Sequence, residues 1–207
     1  MTRTAADARR WAAHGQQLVT TAVAALDESA YDVPSLLPGW SRRHLVAHLA
    51  GNADALGNLV TWAATGVETP MYASPAERAA GIERGLRLSA AELTAWQERS
   101  AAVLAAGLAG LTNAQWAQQV RTVQGRTLPA TEIPWLRARE VLVHAVDLDT
   151  GTSFADLPAD FLEALVADIV TRRGDVPHVD GPLPEVAAWL AGRPHALPGA
   201  PDLGPWL

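Results

Sequence analysis

The stretch Arg137-Ala138-Arg139-Glu140-Val141-Leu142-Val143-His144-Ala145-Val146-Asp147 places an acid and a histidine four residues apart in an otherwise apolar run. Four residues is about one helical turn, so Glu140 and His144 share a face of a helix. Leu142, Val143 and Val146 surround them and turn that face inward. A second stretch, Trp40-Ser41-Arg42-Arg43-His44-Leu45-Val46-Ala47-His48-Leu49-Ala50, sets His48 among apolar neighbours in the same manner. Two imidazoles and a carboxylate facing one another across packed helices make a three-ligand metal site with an open coordination position, the catalytic arrangement for zinc. The same donors suit iron(II), nickel and manganese. From spacing alone, core or surface polar groups satisfied by neighbours are the commoner reading of these residues. His44 has the spacing to join His48, or to face solvent beside Arg42 and Arg43.

Working outward, helical periodicity runs from about residue 5 to 27 through Trp11, Leu18, Val19, Ala22, Val23 and Leu26. A turn over Pro34 to Gly39 precedes Ser41, a good N-cap for a helix over 41–65 that Gly66 stops. Ser74-Pro75-Ala76-Glu77 and Ser89-Ala90-Ala91-Glu92 read as capping boxes, the second opening a helix over 89–109. The segment from Gln118 to Leu128 reads as a small hairpin around Gln124-Gly125 or as an irregular crossover. Thr131 is the expected cap of the next helix, over 131–150, with Pro134 tolerated in its first turn. Another helix starts at Asp156-Leu157-Pro158 and ends at Gly174. Half of the 14 prolines lie beyond that point, where one short helix, Glu185 to Leu190, is expected. Four main helices with appendages predict a mainly α bundle. We divide the chain into a helical bundle over 1–152 and a small C-terminal region over 153–207.

Composition narrows the function. The chain has 207 residues, 49% of them hydrophobic, enough to bury a core without cross-links. Ala, Leu and Val dominate, and eight tryptophans supply bulk that two phenylalanines cannot. A net charge of −6 argues against a nucleic-acid partner. Cysteine is absent, which excludes disulfides, thiolate ligands and a cysteine nucleophile. Any sulfur chemistry must therefore use a small-molecule thiol. The N-terminal MTRTAADARRW lacks the apolar core of a signal peptide, and no stretch reaches membrane-spanning length, so a cytoplasmic location with no membrane partner is expected. A phosphate-binding glycine loop, His-Glu-x-x-His and Gly-x-Ser-x-Gly are all missing.

Gly39-Trp40 with Leu-Val-Ala-His48-Leu-Ala, and Arg139-Glu140-Val-Leu-Val-His144-Ala-Val-Asp147-Leu, resemble the mycothiol-dependent maleylpyruvate isomerase family of DinB-like metal-binding four-helix bundles. Further agreement lies in Pro134-Trp135-Leu136-Arg137, Phe154-Ala-Asp-Leu-Pro158, Trp189-Leu190-Ala191-Gly192-Arg193 and the ending Pro205-Trp206-Leu207. The resemblance covers nearly the whole chain. It implies a DinB-like bundle with metal ligands at His48, Glu140 and His144, no ligand role for His44, and an active-site arginine at Arg193. A competing role for Arg193 is a charge complementing a helix C-terminus. Family members usually carry strands between the helix ending near Arg173 and the Trp-Leu-x-Gly-Arg segment. Only Gly174 to Gly181 fills that gap here, so a shortened C-terminal segment is expected.

The resemblance further implies zinc or another divalent ion, mycothiol as the thiol cofactor, and conversion of maleylpyruvate to fumarylpyruvate in aromatic catabolism. Thiolate formation is favoured by a cation, and addition to the cis double bond leaves a single bond that rotates before elimination. The dianionic substrate calls for arginine forks, with Arg193 first and Arg78 and Arg84 behind it. Two other readings stand beside this one: a mycothiol S-transferase, and a metal-binding bundle without turnover. The partners expected are a small-molecule substrate and a low-molecular-weight thiol, with the chain a monomer or weak homodimer.

Overall fold

The computed structural model describes residues 3–206, apart from the side chain of Pro75; Leu207, the last residue of the C-terminal resemblance, lies outside them. Four long helices form the bundle: α1 (Ala5–Ala24), α3 (Arg42–Thr65), α5 (Ala90–Ala109) and α7 (Ile133–Asp147). α1 packs along α7 and α3 along α5, while contacts of α3 with α7 and of α1 with α5 close the ring. Smaller helices are α2 (Glu28–Tyr31), α4 (Pro75–Gly85), α6 (Asn113–Trp116), α8 (Ala159–Arg173) and α9 (Leu183–Leu190). β1 (Gln119–Arg121) and β2 (Thr127–Pro129) pair antiparallel, with Val120 opposite Leu128, and both side chains buried. This is the expected hairpin, and it bridges α6 to α7.

Local chemistry explains the boundaries. Ser89 accepts from the Glu92 amide and Glu92 accepts from the Ser89 amide, the reciprocal pair expected of a capping box. Ser41 caps α3 through an unplanned partner, since His44 Nδ1 accepts from the Ser41 amide at 3.2 Å. Thr131 does not cap α7. Residues Ala130–Glu132 form a 3-10 turn instead, and α7 begins at Ile133. The reason lies in Pro134: with Thr131 as N-cap, Pro134 would fall at the third helical position and lack the N–H that the hydroxyl needs. α7 also ends at Asp147, earlier than 150.

α7 is the bundle's central helix, buried on nearly every side. Its contact with α1 is close because Gly15 leaves room for Val141 and Leu142. Arg137 pins three elements from inside, donating to the Leu49 carbonyl, to Asn52 and to Gln16. Burial lowers its pKa to about 10, which still leaves it charged at neutral pH. α8 and α9 share one apolar cluster with α1 and α7, built on Trp11, Trp135, Phe161 and Trp189. Between α8 and α9 the chain is irregular and carries no strand among the described residues. No helix of the described residues is long and apolar enough to cross a membrane.

Candidate metal centre

His48 projects from the middle of α3, and Glu140 and His144 from successive turns of α7. One ligating atom of each lies within 4.8 Å of the other two. Glu140 Oε2 is 2.9 Å from His48 Nε2 and 3.4 Å from His144 Nε2. The imidazole rings stand nearly perpendicular, 84° apart with centroids at 5.1 Å. Both histidines are buried, and Glu140 is largely so. The three residues singled out from the sequence are thus brought together by the fold.

What stands behind them fixes their orientation. His144 Nδ1–H donates to Asp147 Oδ2 at 2.8 Å; a carboxylate only accepts, so the proton sits on Nδ1 and Nε2 faces the centre. Asp147 is fully buried and in turn receives Arg193 Nε at 3.1 Å and Nη2 at 2.7 Å. This two-point clamp is the strong form of an arginine–carboxylate contact. Arg193 Nη1 donates to the Ala191 carbonyl. The backbone delivers Arg193 to this position by a Schellman ending of α9: Gly192 N–H meets the Trp189 carbonyl and Arg193 N–H the Ala188 carbonyl. Gly192 has φ +68°, and a Cβ there would strike the Gly204 carbonyl, so only glycine serves.

The charges are tuned by these contacts. Burial favours the neutral His48 ring more strongly than Glu140 favours the charged one, and its pKa is lowered. For His144 burial opposes charge too, but the bonds to Asp147 and Glu140 outweigh it and the pKa rises. Burial alone would raise Glu140; the two histidines hold it well below the usual carboxylate range. Asp147 is likewise held down by His144 and Arg193 against burial.

Two cavities meet at the three residues. One is bounded by Leu36, Pro38, Trp40, Arg193 and Pro205 and reaches His48, Glu140 and His144. The other runs from His48 and Glu140 toward the β1–β2 turn and α8, past Tyr72, Arg126, Arg139 and Arg172. Arg78 lines both, and its Nη2 lies 3.4 Å from His48 Nδ1. Arg84 lines neither; it sits beside Glu77 in a third cavity that also reaches Arg78 and His48. His44 stacks on Trp40 and serves as a cap, without joining the centre. Sequence reasoning missed Arg139 and Tyr72 as lining residues.

The profile of the family described as mycothiol maleylpyruvate isomerase N-terminal domain matches residues 4–149. The chain belongs to this family. It is also similar over 100% of both chains to a crystal structure of the mycothiol-dependent maleylpyruvate isomerase, with 32% identity and a TM-score of 0.92. A histidine-to-alanine mutant of that enzyme matches equally, at 32% identity and a TM-score of 0.92. No curated protein matches the chain. Membership in the family, the mainly helical fold and the match to an isomerase along the full chain are in accord with the resemblance read from the sequence.

Proposed function

We propose that the protein is a mycothiol-dependent maleylpyruvate isomerase whose centre binds a divalent ion, zinc in the first instance, through His48, Glu140 and His144. The observation that supports it is the convergence of three donor atoms where two cavities meet, in a chain that superposes end to end on such an isomerase. The residues fit an ion: two neutral-capable imidazoles, one carboxylate, a fixed tautomer at His144, and open cavity in place of a fourth protein ligand. An ion bound there supplies the positive charge that stabilises a thiolate near neutral pH.

The chain's own groups do the rest. The thiol must come from outside, since the chain has no cysteine. Its sulfur forms a bond to one carbon of the cis double bond, and the electron pair moves onto the conjugated carbonyl oxygen. The remaining carbon–carbon single bond rotates. The electron pair then returns, the carbon–sulfur bond breaks, and the trans isomer and the thiol are released. No net proton transfer is required, so the demand on the protein is to hold the charges in place. Asp147 orients His144, and Arg193 orients Asp147. Three of the five guanidinium N–H groups of Arg193 are thereby engaged, which makes it a positioning residue in the wall of the cavity that it lines.

The test is metal analysis followed by assay with maleylpyruvate. Fumarylpyruvate should appear only with both mycothiol and the ion, and thiol should not be consumed. His144→Ala should retain no ion. Turnover without thiol, or none with thiol and ion together, would overturn the reading; stoichiometric loss of thiol would make the protein an S-transferase.

A further inference from the structure

The cavity toward α8 is cationic in a way that the metal centre does not explain. Arg78, Arg126, Arg139 and Arg172 all line it, and the lone acid among its lining residues is Glu140, which faces the two histidines. Asp168 answers part of this charge from behind, receiving Arg139 Nη1 at 3.0 Å and Arg172 Nε at 2.9 Å. Arg78 and Arg126 make no ion pair within the described residues. Against one shared carboxylate stand four guanidinium groups.

Arg139 is the fixed member. It is 93% buried, judged by its 7% relative exposure, on the turn of α7 that carries Glu140. Its guanidinium carbon lies 5.8 Å from the Trp135 ring centroid and 5.1 Å from that of Trp206, so indoles on two sides restrict its swing. Its Nε is buried without any hydrogen-bond partner among the described residues. A buried charged donor left unpaired is costly and rare in folded proteins. Since Asp168 occupies Nη1, the Nε–Nη2 edge is the side still lacking an acceptor, and that edge has the fork geometry a carboxylate matches. The cavity holds about 510 Å³, within the range of small-molecule sites.

We propose that this cavity is the carboxylate subsite of the reaction: Arg139 grips the end of a dicarboxylate remote from the metal centre, with Arg126 and Arg172 at the mouth and Arg78 between that end and His48. The proposal rests on the isomerase reading for the identity of the dicarboxylate, while the anion class follows from the charges alone. It also divides the two cavities. The anionic substrate enters on the arginine side, which leaves the side of Trp40, Pro38 and Arg193 for the thiol.

The probe is maleate, an unreactive short cis-dicarboxylate, titrated calorimetrically into the ion-loaded protein, with crotonate as its monocarboxylate control. Maleate should bind at least tenfold more tightly than crotonate. Arg139→Gln and Arg126→Gln should each weaken maleate tenfold or more with metal content unchanged, and raise KM for maleylpyruvate more than they lower kcat. Arg126 is exposed and unpaired, so its variant folds even where Arg139→Gln does not. Arg99→Gln, an exposed charge on α5, controls for net charge and should alter nothing. Unchanged maleate affinity and KM in Arg126→Gln and Arg139→Gln, in a protein that isomerises maleylpyruvate, would overturn the subsite and leave the isomerase reading standing. Arginine-dependent maleate binding in a protein inactive on maleylpyruvate would support the subsite while removing the isomerase reading.

Discussion

At the scale of single residues, the candidate centre is held by a chain of contacts from Arg193 through Asp147 to His144. In the ion-free protein His144 keeps its proton to higher pH than an ordinary histidine, because the bonds to Asp147 and Glu140 outweigh burial. The stabilisation it gives is fully present below its unfolded value of about 6.5 and is lost as pH rises through the higher folded value. An ion at Nε2 reverses that sign, since binding requires the proton to leave. Apparent metal affinity should therefore climb with pH until the raised pKa of His144 is passed and level off above it. Asp147→Asn removes the charge that raises this pKa, so the inflection should move to lower pH while affinity at the plateau falls about 10–100-fold. Chelator competition across that pH range measures both. An unchanged inflection would show that Asp147 acts on His144 only as a spacer. The candidate ligands were legible in the sequence because Glu140 and His144 share a helical face by spacing alone. Arg139 was not: an arginine beside a glutamate in a helix reads as surface, and only the approach of Trp206 and Asp168 from other parts of the chain buries it.

At the scale of elements, the site is assembled by the closeness of α7 to its neighbours. Gly15 marks the tightest point: a Cβ there would sit 2.6 Å from Val141 Cγ2, a methyl on a stiff β-branched side chain, and 2.7 Å from Leu142 Cγ, a branch carbon. Two effects compete in Gly15→Ala. Alanine gains about 1 kcal/mol of helix propensity in α1, while overpacking a well-filled contact costs about 1–3 kcal/mol. With two contacts below 3.0 Å the clash should win, and denaturant unfolding should show a net loss of about 1–2 kcal/mol. A more stable variant would mean that α1 can ride outward without cost. The helices α1, α3, α4, α5 and α8 were readable from their caps and periodicity, since Ser74 and Ser89 carry a glutamate three residues on and Ser41 is a good cap whose His44 partner was not foreseen. The start of α7 was misread because the missing N–H of Pro134 matters only once the register of the first turn is known. The short helices α2 and α6 carry too little periodicity to be seen.

At the scale of the whole molecule, the pattern change near residue 152 separates a regular bundle from a proline-rich remainder. We propose that it does not separate two cooperative units. Trp189, Leu190 and the α8 residues Phe161, Leu162 and Leu165 share one buried cluster with Trp11 and Trp135 of the bundle. Arg173 donates to the carbonyls of Leu190, Leu203 and Gly204, and Trp189 Nε1 to that of Pro201, so the irregular end is fastened by main-chain acceptors. The same end carries Arg193 into contact with Asp147. Thermal unfolding should then give one transition, coincident by far-ultraviolet circular dichroism and tryptophan fluorescence, and zinc should shift it upward by mass action. Trp189→Ala should cost about 3–5 kcal/mol through its cavity and, by loosening the α9 ending that seats Arg193, also weaken the ion measurably below the melting temperature. Leu59→Ala, buried at the α3 end of the bundle away from Arg193, should cost about 2–5 kcal/mol and leave ion affinity where it was. The contrast between these two variants isolates the contribution of the C-terminal region to the centre. Equal ion affinity in both would mean that the region stabilises the bundle without helping to shape the site.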